Sequence, residues 1–236
     1  MTLFETVKEF LQSSAFFGVF LTLGAYFIGL WIKKKCKLGI FNPLLIAVIL
    51  VIAFLALTGI SYDSYSAGAK YVSFLLTPAT VCLAIPLYRQ LNALKKHYKA
   101  ILAGVLSGVL TSLGGVLALS LLFGLTHEQY VTLLPKSITT AIGMDISKEL
   151  GGMVTVTVAV ILITGVLGNI LAQPLAKLFR INEPIATGIA IGTSSHAIGT
   201  SKALEIGEVE GAMSSLSIAV AGLLTVVLAS VFAQFL

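Results

Sequence analysis

Residues 191–205 read IGTSSHAIGTSKALE. Two glycines, five hydroxyl side chains, a histidine, a lysine and a glutamate share fifteen positions in an otherwise oily neighbourhood. The whole chain of 236 residues is 57% hydrophobic and only 11% charged, with a mean hydropathy of +1.02. Soluble domains carry about 25% charged residues. A chain with under half of that cannot cover its surface for water, so it reads as a polytopic membrane protein. Why a bilayer protein gathers helix-breakers and polar groups in one place is the question that decides the fold.

Outward from that stretch lie long apolar runs. A spanning helix needs roughly 20 apolar residues, and residues 14–32, 43–60, 100–124 and 153–173 provide them, with 211–236 as a fifth and 70–88 as a sixth. The sixth carries Pro78 and closes on Pro86. Proline in a span frees a carbonyl that neighbouring groups must satisfy, which marks both residues as structural. Two stretches rich in Gly, Ser and Thr, 133–150 and 184–205, are too polar for plain spans. The N-terminal MTLFETVKEFLQSS lacks the basic start and small-residue cleavage site of a signal peptide, so the first apolar run is expected to stay as an anchor.

Of fifteen cations, ten fall in three segments: Lys33, Lys34, Lys35 and Lys37; Arg89, Lys95, Lys96 and Lys99; Lys177 and Arg180. Cytoplasmic loops collect Lys and Arg. All three segments face inside only if 133–150 returns to the side it came from. It is then a re-entrant hairpin, and the N-terminus is expected outside. The basic balance of +5 is topology rather than a sign of nucleic acid.

A fixed offset of 56 aligns TAIGMDISKELGG (140–152) with HAIGTSKALEIGE (196–208) without gaps. Five of thirteen positions are identical: Ala141, Ile142, Gly143, Glu149 and Gly151 against Ala197, Ile198, Gly199, Glu205 and Gly207. Each copy precedes one apolar span. A hairpin plus one crossing places its successor upside down, which is the inverted-repeat plan of secondary transporters. Glycine-rich packing helices are the competing reading, and the embedded ionisable groups weigh against them. The expected fold class is therefore all-α, with about six spanning helices plus two re-entrant hairpins forming an inverted repeat. Residues 1–124 are expected to be a scaffold-like part. Residues 133–236 (133–173 and 184–236) are the expected transport unit.

Ionisable groups at membrane depth are expensive and point to function. His196 titrates in the range that suits proton coupling, and Asp145 is a second candidate for that role. Thr193, Ser194, Ser195, Thr200 and Ser201 offer hydroxyls, while Gly199 lets backbone approach a ligand. Ser137, Thr139, Thr140 and Gly143 repeat the pattern in the first copy. Broken helix ends present amides that attract carboxylates and phosphates, and Lys136 is placed to draw an anion in. Lys202 and Glu205, three apart, suit an ion pair on one helical face. Cys36 and Cys82 have no metal-ligand spacing. With no nucleophile–base set either, no enzyme activity, metal or cofactor is expected.

LPKSITTAIGMDISKELGG (134–152), GTSSHAIGTSKALEIGEVEGAMSSL (192–216) and LLTPATVCLAIPLY (75–88) resemble the LrgB/CidB family over essentially the whole chain. The resemblance implies a bacterial inner-membrane protein of a holin/antiholin-like group named for modulating murein hydrolases and autolysis. Its plastid relatives, fused to an LrgA-like domain, exchange glycolate for glycerate, and some bacterial members move pyruvate with an LrgA-type partner. By resemblance, the expected function is transport of small monocarboxylates such as pyruvate, lactate or glycolate. Proton coupling, an LrgA/CidA-type partner and homo-oligomerisation go with it. The alternative is antiholin-like control of autolysis. Lys136 and Ser137, reading LPKS, stand closer to the CidB-like branch than to the branch reading LPQA.

Overall fold

The computed structural model describes residues 3–36, 41–82 and 84–236; Lys37 of the first basic segment lies outside them. Among the described residues every element is a helix. The chain forms two compact units, Met1–Cys82 and Leu83–Leu236. Among the described residues, four helices are long and apolar enough to cross a bilayer, within Phe17–Cys36, Leu94–Phe123, Val154–Leu178 and Glu208–Phe235, and Pro43–Thr58 is a shorter apolar helix. The fold is an all-α membrane protein.

The first unit holds α1 (Leu3–Ser13), α2 (Phe17–Cys36), α3 (Pro43–Thr58), α4 (Tyr62–Ser73) and α5 (Leu76–Cys82). Asn42 starts α3, its side-chain oxygen accepting from Leu44 N at 2.8 Å, with Pro43 at the first helical position where a missing N–H costs nothing. Gly18 of α2 lies directly on the α4 backbone at Tyr65 and Gly68, an approach that no larger residue permits. Thr22 Oγ1 and Tyr65 Oη, 2.8 Å apart, join the same two helices.

The second unit holds α6 (Ala84–Arg89), α7 (Leu91–Phe123), α8 (His127–Leu133), α9 (Thr140–Glu149), α10 (Val154–Leu178), α11 (Pro184–Ile206) and α12 (Glu208–Phe232). The expected single span at 70–88 is corrected: that stretch is divided among α4, α5 and α6. The described break is the turn at Phe74–Leu75 between α4 and α5, and Pro78 is the third residue of α5; Leu83, between α5 and α6, lies outside the described residues. In a first turn the absent N–H removes no intrahelical bond, so Pro78 stands at the start of a helix instead of kinking a longer one. The helix at 100–124 belongs by its contacts to this second unit, within α7.

On α7 Ile101, Val105, Val109 and Leu113 are buried at four-residue spacing, while Leu102, Leu106 and Leu110 are exposed. Leu162, Ile163 and Leu167 of α10 and Leu223, Val226 and Val227 of α12 are likewise exposed. Apolar faces of this extent are uncommon on soluble monomers and suit acyl chains.

Two hairpins give this unit its character. Near the start of α10, Thr157 Oγ1 donates to the Thr132 carbonyl of α8 (2.9 Å) and to Ser147 Oγ of α9 (2.7 Å). One turn on, Ile161 meets Gly143, and a methyl at Gly143 would stand 3.4 Å from the Pro135 carbonyl oxygen. The chain therefore advances along α10 through 132 and 135, turns, and returns through 143 and 147. In α11 the turn is at His196 (φ 43°, ψ −141°). Gly188 packs on Glu210 and Met213, and Gly192 on Ser214 and Ser217; then Thr200 Oγ1 meets Ser214 Oγ at 2.7 Å and Leu204 meets Gly211. The first limb thus runs along α12 and the second runs back. A methyl at Gly199 would stand 3.3 Å from the Ile191 carbonyl oxygen; in a straight helix eight residues span about 12 Å.

The offset of 56 carries the pair Thr132 and Thr157 onto Gly188 and Met213, and Pro135 and Gly143 onto Ile191 and Gly199. The hairpins reach α10 from its two ends: Gly143 rests on Ile161, and His196 Nε2 lies 3.0 Å from the Ile161 carbonyl. Ile161 is the eighth of the 25 residues of α10, about 10 Å along a helix of about 37 Å, so both tips reach inside the length of that helix.

Candidate functional site

The hairpin tips and the middle of α7 enclose the candidate site. Lys136 and Ser137 come from the turn between α8 and α9, and Ser112 from α7. Lys136 Nζ donates to Ser137 Oγ at 3.0 Å and to Ser112 Oγ at 3.3 Å, and Ser112 Oγ donates to Ser137 Oγ at 3.0 Å. An ammonium has three hydrogens and a hydroxyl has one. Among the described residues, one Lys136 hydrogen and the Ser137 hydroxyl hydrogen are left without a protein acceptor. No carboxylate of those residues lies within ion-pair distance of Lys136 either.

This cluster lines a cavity of about 940 Å³. Gly108, Thr111, Ser112 and Gly115 of α7 form one wall, Ile189, Thr193 and Ser194 of α11 another. The cavity reaches His97 and Glu183 at one end of α7 and Val116 and Leu119 towards the other. Arg89 Nη1 lies 3.6 Å from Glu208 at the His97 end, where Lys95, Lys96 and Lys99 also stand. Gly108 touches the Thr193 side chain closely, so the glycine leaves the room that this side chain fills between α7 and the second hairpin.

Of the residues singled out in the sequence, Lys136, Ser137, Thr193 and Ser194 line this cavity together. The others take different places. Thr139 is the N-cap of α9 and Thr140 its first residue. Gly143 packs on Ile161, and Gly199 on Ser195 and Ile191. Ser195 is buried against Gly168, with its hydroxyl 2.9 Å from that of Ser194. His196 is buried, its ring against Gly165 and its Nε2 on the Ile161 carbonyl. Thr200 Oγ1 donates to the His196 carbonyl at 2.9 Å, and Ser201 Oγ to that of Ile198 at 2.7 Å. Asp145 is exposed on α9. Lys202 and Glu205 form an exposed pair at 3.0 Å, worth about 0–1 kcal/mol at a surface.

Sequence reasoning missed Ser112 and Thr111. Their signal was present in the spacing of Gly104, Gly108 and Ser112, a small-residue stripe every fourth position, which is also the ordinary mark of helix packing in membranes. It missed Asn169 too, whose Nδ2 donates to the Ile198 carbonyl at 2.8 Å and ties the second hairpin to α10.

Comparison with known proteins places this architecture. Residues 22–235 match the LrgB-like family. The chain belongs to that family. Antiholin-like protein LrgB of Bacillus subtilis (strain 168) is 38% identical over 224 residues, covering 94% of this chain and 97% of the relative. The proteins of the same name from Bacillus mycoides (strain KBAB4) and Bacillus cereus (strain B4264) are 37% identical over 222 residues, 94% of this chain and 96% of theirs. No solved structure matches this LrgB-like chain significantly.

Proposed function

We propose that this LrgB-like protein binds a small carboxylate at Lys136 and Ser137 and carries it across the membrane. The observation behind this reading is the Lys136 ammonium beside the cavity, with one of its hydrogens and the Ser137 hydroxyl hydrogen to spare and no carboxylate partner among the described residues. A cation there is costly unless an anion completes it. Two hairpins held by glycine contacts to α10 and α12 could shift against α7 and open the site to either side, and Lys95, Lys96 and Lys99 would concentrate anions at one mouth. Pyruvate, lactate and glycolate are the class in view. His196 and Asp145 line no part of the cavity, so a proton carried by either would be coupled indirectly.

The relatives' names support a second reading, antiholin-like modulation of murein hydrolase activity in the bacterial cell membrane together with an LrgA/CidA-type small membrane protein. Those names carry this reading further than they carry transport, which rests on the cavity. Counterflow of labelled pyruvate, lactate and glycolate into proteoliposomes separates the two. The carrier reading expects saturable exchange that Lys136→Gln abolishes, with the chain alone or with an LrgA-type partner added. Unsaturable dye leakage, or no exchange in either preparation, would leave the antiholin-like reading standing alone.

A further inference from the structure

We infer that Lys136 is the proton carrier of this site, taking up a proton as a small carboxylate binds and losing it as the carboxylate leaves; this rests on the carboxylate reading above. The ground is the set of partners around Nζ. Ser137 Oγ stands 3.0 Å from Nζ and Ser112 Oγ 3.3 Å from it, and the two hydroxyls are 3.0 Å apart. A hydroxyl donates or accepts as required, whereas a carboxylate only accepts. The triangle therefore suits both states of the amine. As an ammonium, Lys136 donates to both serines, and one of its hydrogens and the Ser137 hydrogen remain for an anion. As a neutral amine it has a lone pair. Ser137 then turns its hydrogen to Nζ, Nζ donates to Ser112, and Ser112 donates to Ser137, so the three atoms close a ring. A carboxylate in place of either serine would fix the positive charge.

Other ionisable groups do not reach this triangle. Among the described residues, the remaining ionisable side chains that line the cavity are His97 and Glu183. Both are exposed at its mouth, where Lys95, Lys96 and Lys99 also stand, and His97 is about 22 Å from Ser112 along α7. This basic mouth gathers the anion from water, and Lys136 receives it further in. On the hairpin that carries Lys136, His127 and Glu128 of α8 and Asp145, Lys148 and Glu149 of α9 are exposed outside the cavity. α12 lines the small void at Ser137 with Ala221 and Thr225, and α10 meets the hairpin at Ile161. From α11, His196 is held on the Ile161 carbonyl and Lys202 on Glu205.

While the cavity is open at its mouth, water supplies the proton. When the hairpins move with the site empty, an ammonium would leave water without a counter-ion, which is costly, and the neutral amine in its ring avoids that cost. With the carboxylate bound, ammonium and carboxylate cross as a neutral pair. Each carboxylate thus brings one proton, which returns to water on release, and no net charge crosses.

The test is net uptake of labelled pyruvate beside counterflow, in the same proteoliposomes with a pH dye trapped inside and protein-free vesicles subtracted. The wild type is expected to take up one proton per pyruvate, driven by acid outside and indifferent to an imposed membrane potential. Lys136→Arg keeps the charge but does not release its proton. Counterflow is expected to persist in it, while net uptake falls about tenfold or more because the empty site must return charged. Should the bulk of arginine abolish counterflow too, Lys136→Cys converted to aminoethyl-cysteine, with Cys36 and Cys82 replaced by serine, restores an amine less basic than that of lysine. Its pH profile of net uptake is expected to move to lower pH. His97→Gln is expected to keep one proton per pyruvate. Net uptake by Lys136→Arg at the wild-type rate with its proton overturns the inference and leaves the carboxylate reading standing. So does an unmoved pH profile in the analogue, a lost proton in His97→Gln, or a net current in the wild type. Absence of saturable exchange in the wild type, with or without an LrgA-type partner, overturns both.

Discussion

Lys136 is one residue from a buried serine and one α7 side chain from a second, and those two hydroxyls decide how it presents its charge. Ser112 accepts from Lys136 and donates to Ser137, so it holds the ammonium in place without spending the Ser137 hydrogen. Ser112→Ala removes one ground-state contact to a cation, about 1.5–3 kcal/mol at most. It is expected to raise KM for exchange by roughly tenfold, with the maximal rate nearly kept, as loss of uniform binding does. His196 acts at the same scale through backbone strain. Its φ of 43° with ψ of −141° suits glycine far better than any side chain, and such strain costs about 1–3 kcal/mol. His196→Ala and His196→Gly both lose the bond to Ile161, but only alanine keeps the strain. In thermal unfolding in detergent His196→Gly is expected to melt above His196→Ala; the reverse order would mean the tip is not strained.

Helices in this family member are placed by where they lack side chains. Gly188 and Gly192 lie on α12, and Gly165 and Gly168 on the tip residues His196 and Ser195. A methyl at Gly192 would stand 2.8 Å from Ser217 Cβ and 2.9 Å from Ser214 Cα, so Gly192→Val is expected to push the second hairpin off α12 and lower the melting temperature sharply. Gly114 on α7 has nothing within 4 Å, and Gly114→Ala should stabilise by up to about 1 kcal/mol through helix propensity. That contrast tracks what could be read in advance. The offset of 56 was legible because glycine and alanine must recur wherever a tip meets another helix. Lys136 stood out in the sequence because a lysine is conspicuous in an apolar stretch. Ser112 was hidden, since a serine in a glycine stripe looks the same whether it packs or binds. The break of 70–88 at Phe74–Leu75 was hidden because hydropathy records apolar length and does not register a turn between two apolar helices.

At the scale of the second unit, its sidedness follows from counting crossings. If α7, α10 and α12 each cross once and each hairpin returns to the side it left, the unit has one basic side. Arg89, Lys95, Lys96, Lys99, Lys177 and Arg180 therefore share one side, where Glu208 pairs with Arg89. Gly124, Thr126 and Gly151 share the other, and the chain ends there. Cations near span ends mark the cytoplasmic face. Labelling with an impermeant maleimide checks this, after the exposed Cys36 and Cys82 are replaced by serine. Thr126→Cys and Phe235→Cys are expected to react in intact cells, and Phe179→Cys only after the membrane is opened. Reaction of Thr126 and Phe179 from the same side would mean that α8 and α9 do not return as a hairpin. The two tips would then not meet on α10, and Lys136 and Thr193 could not face one cavity. That outcome would remove the physical basis for a carrier and leave the antiholin-like role of the relatives as the reading to pursue.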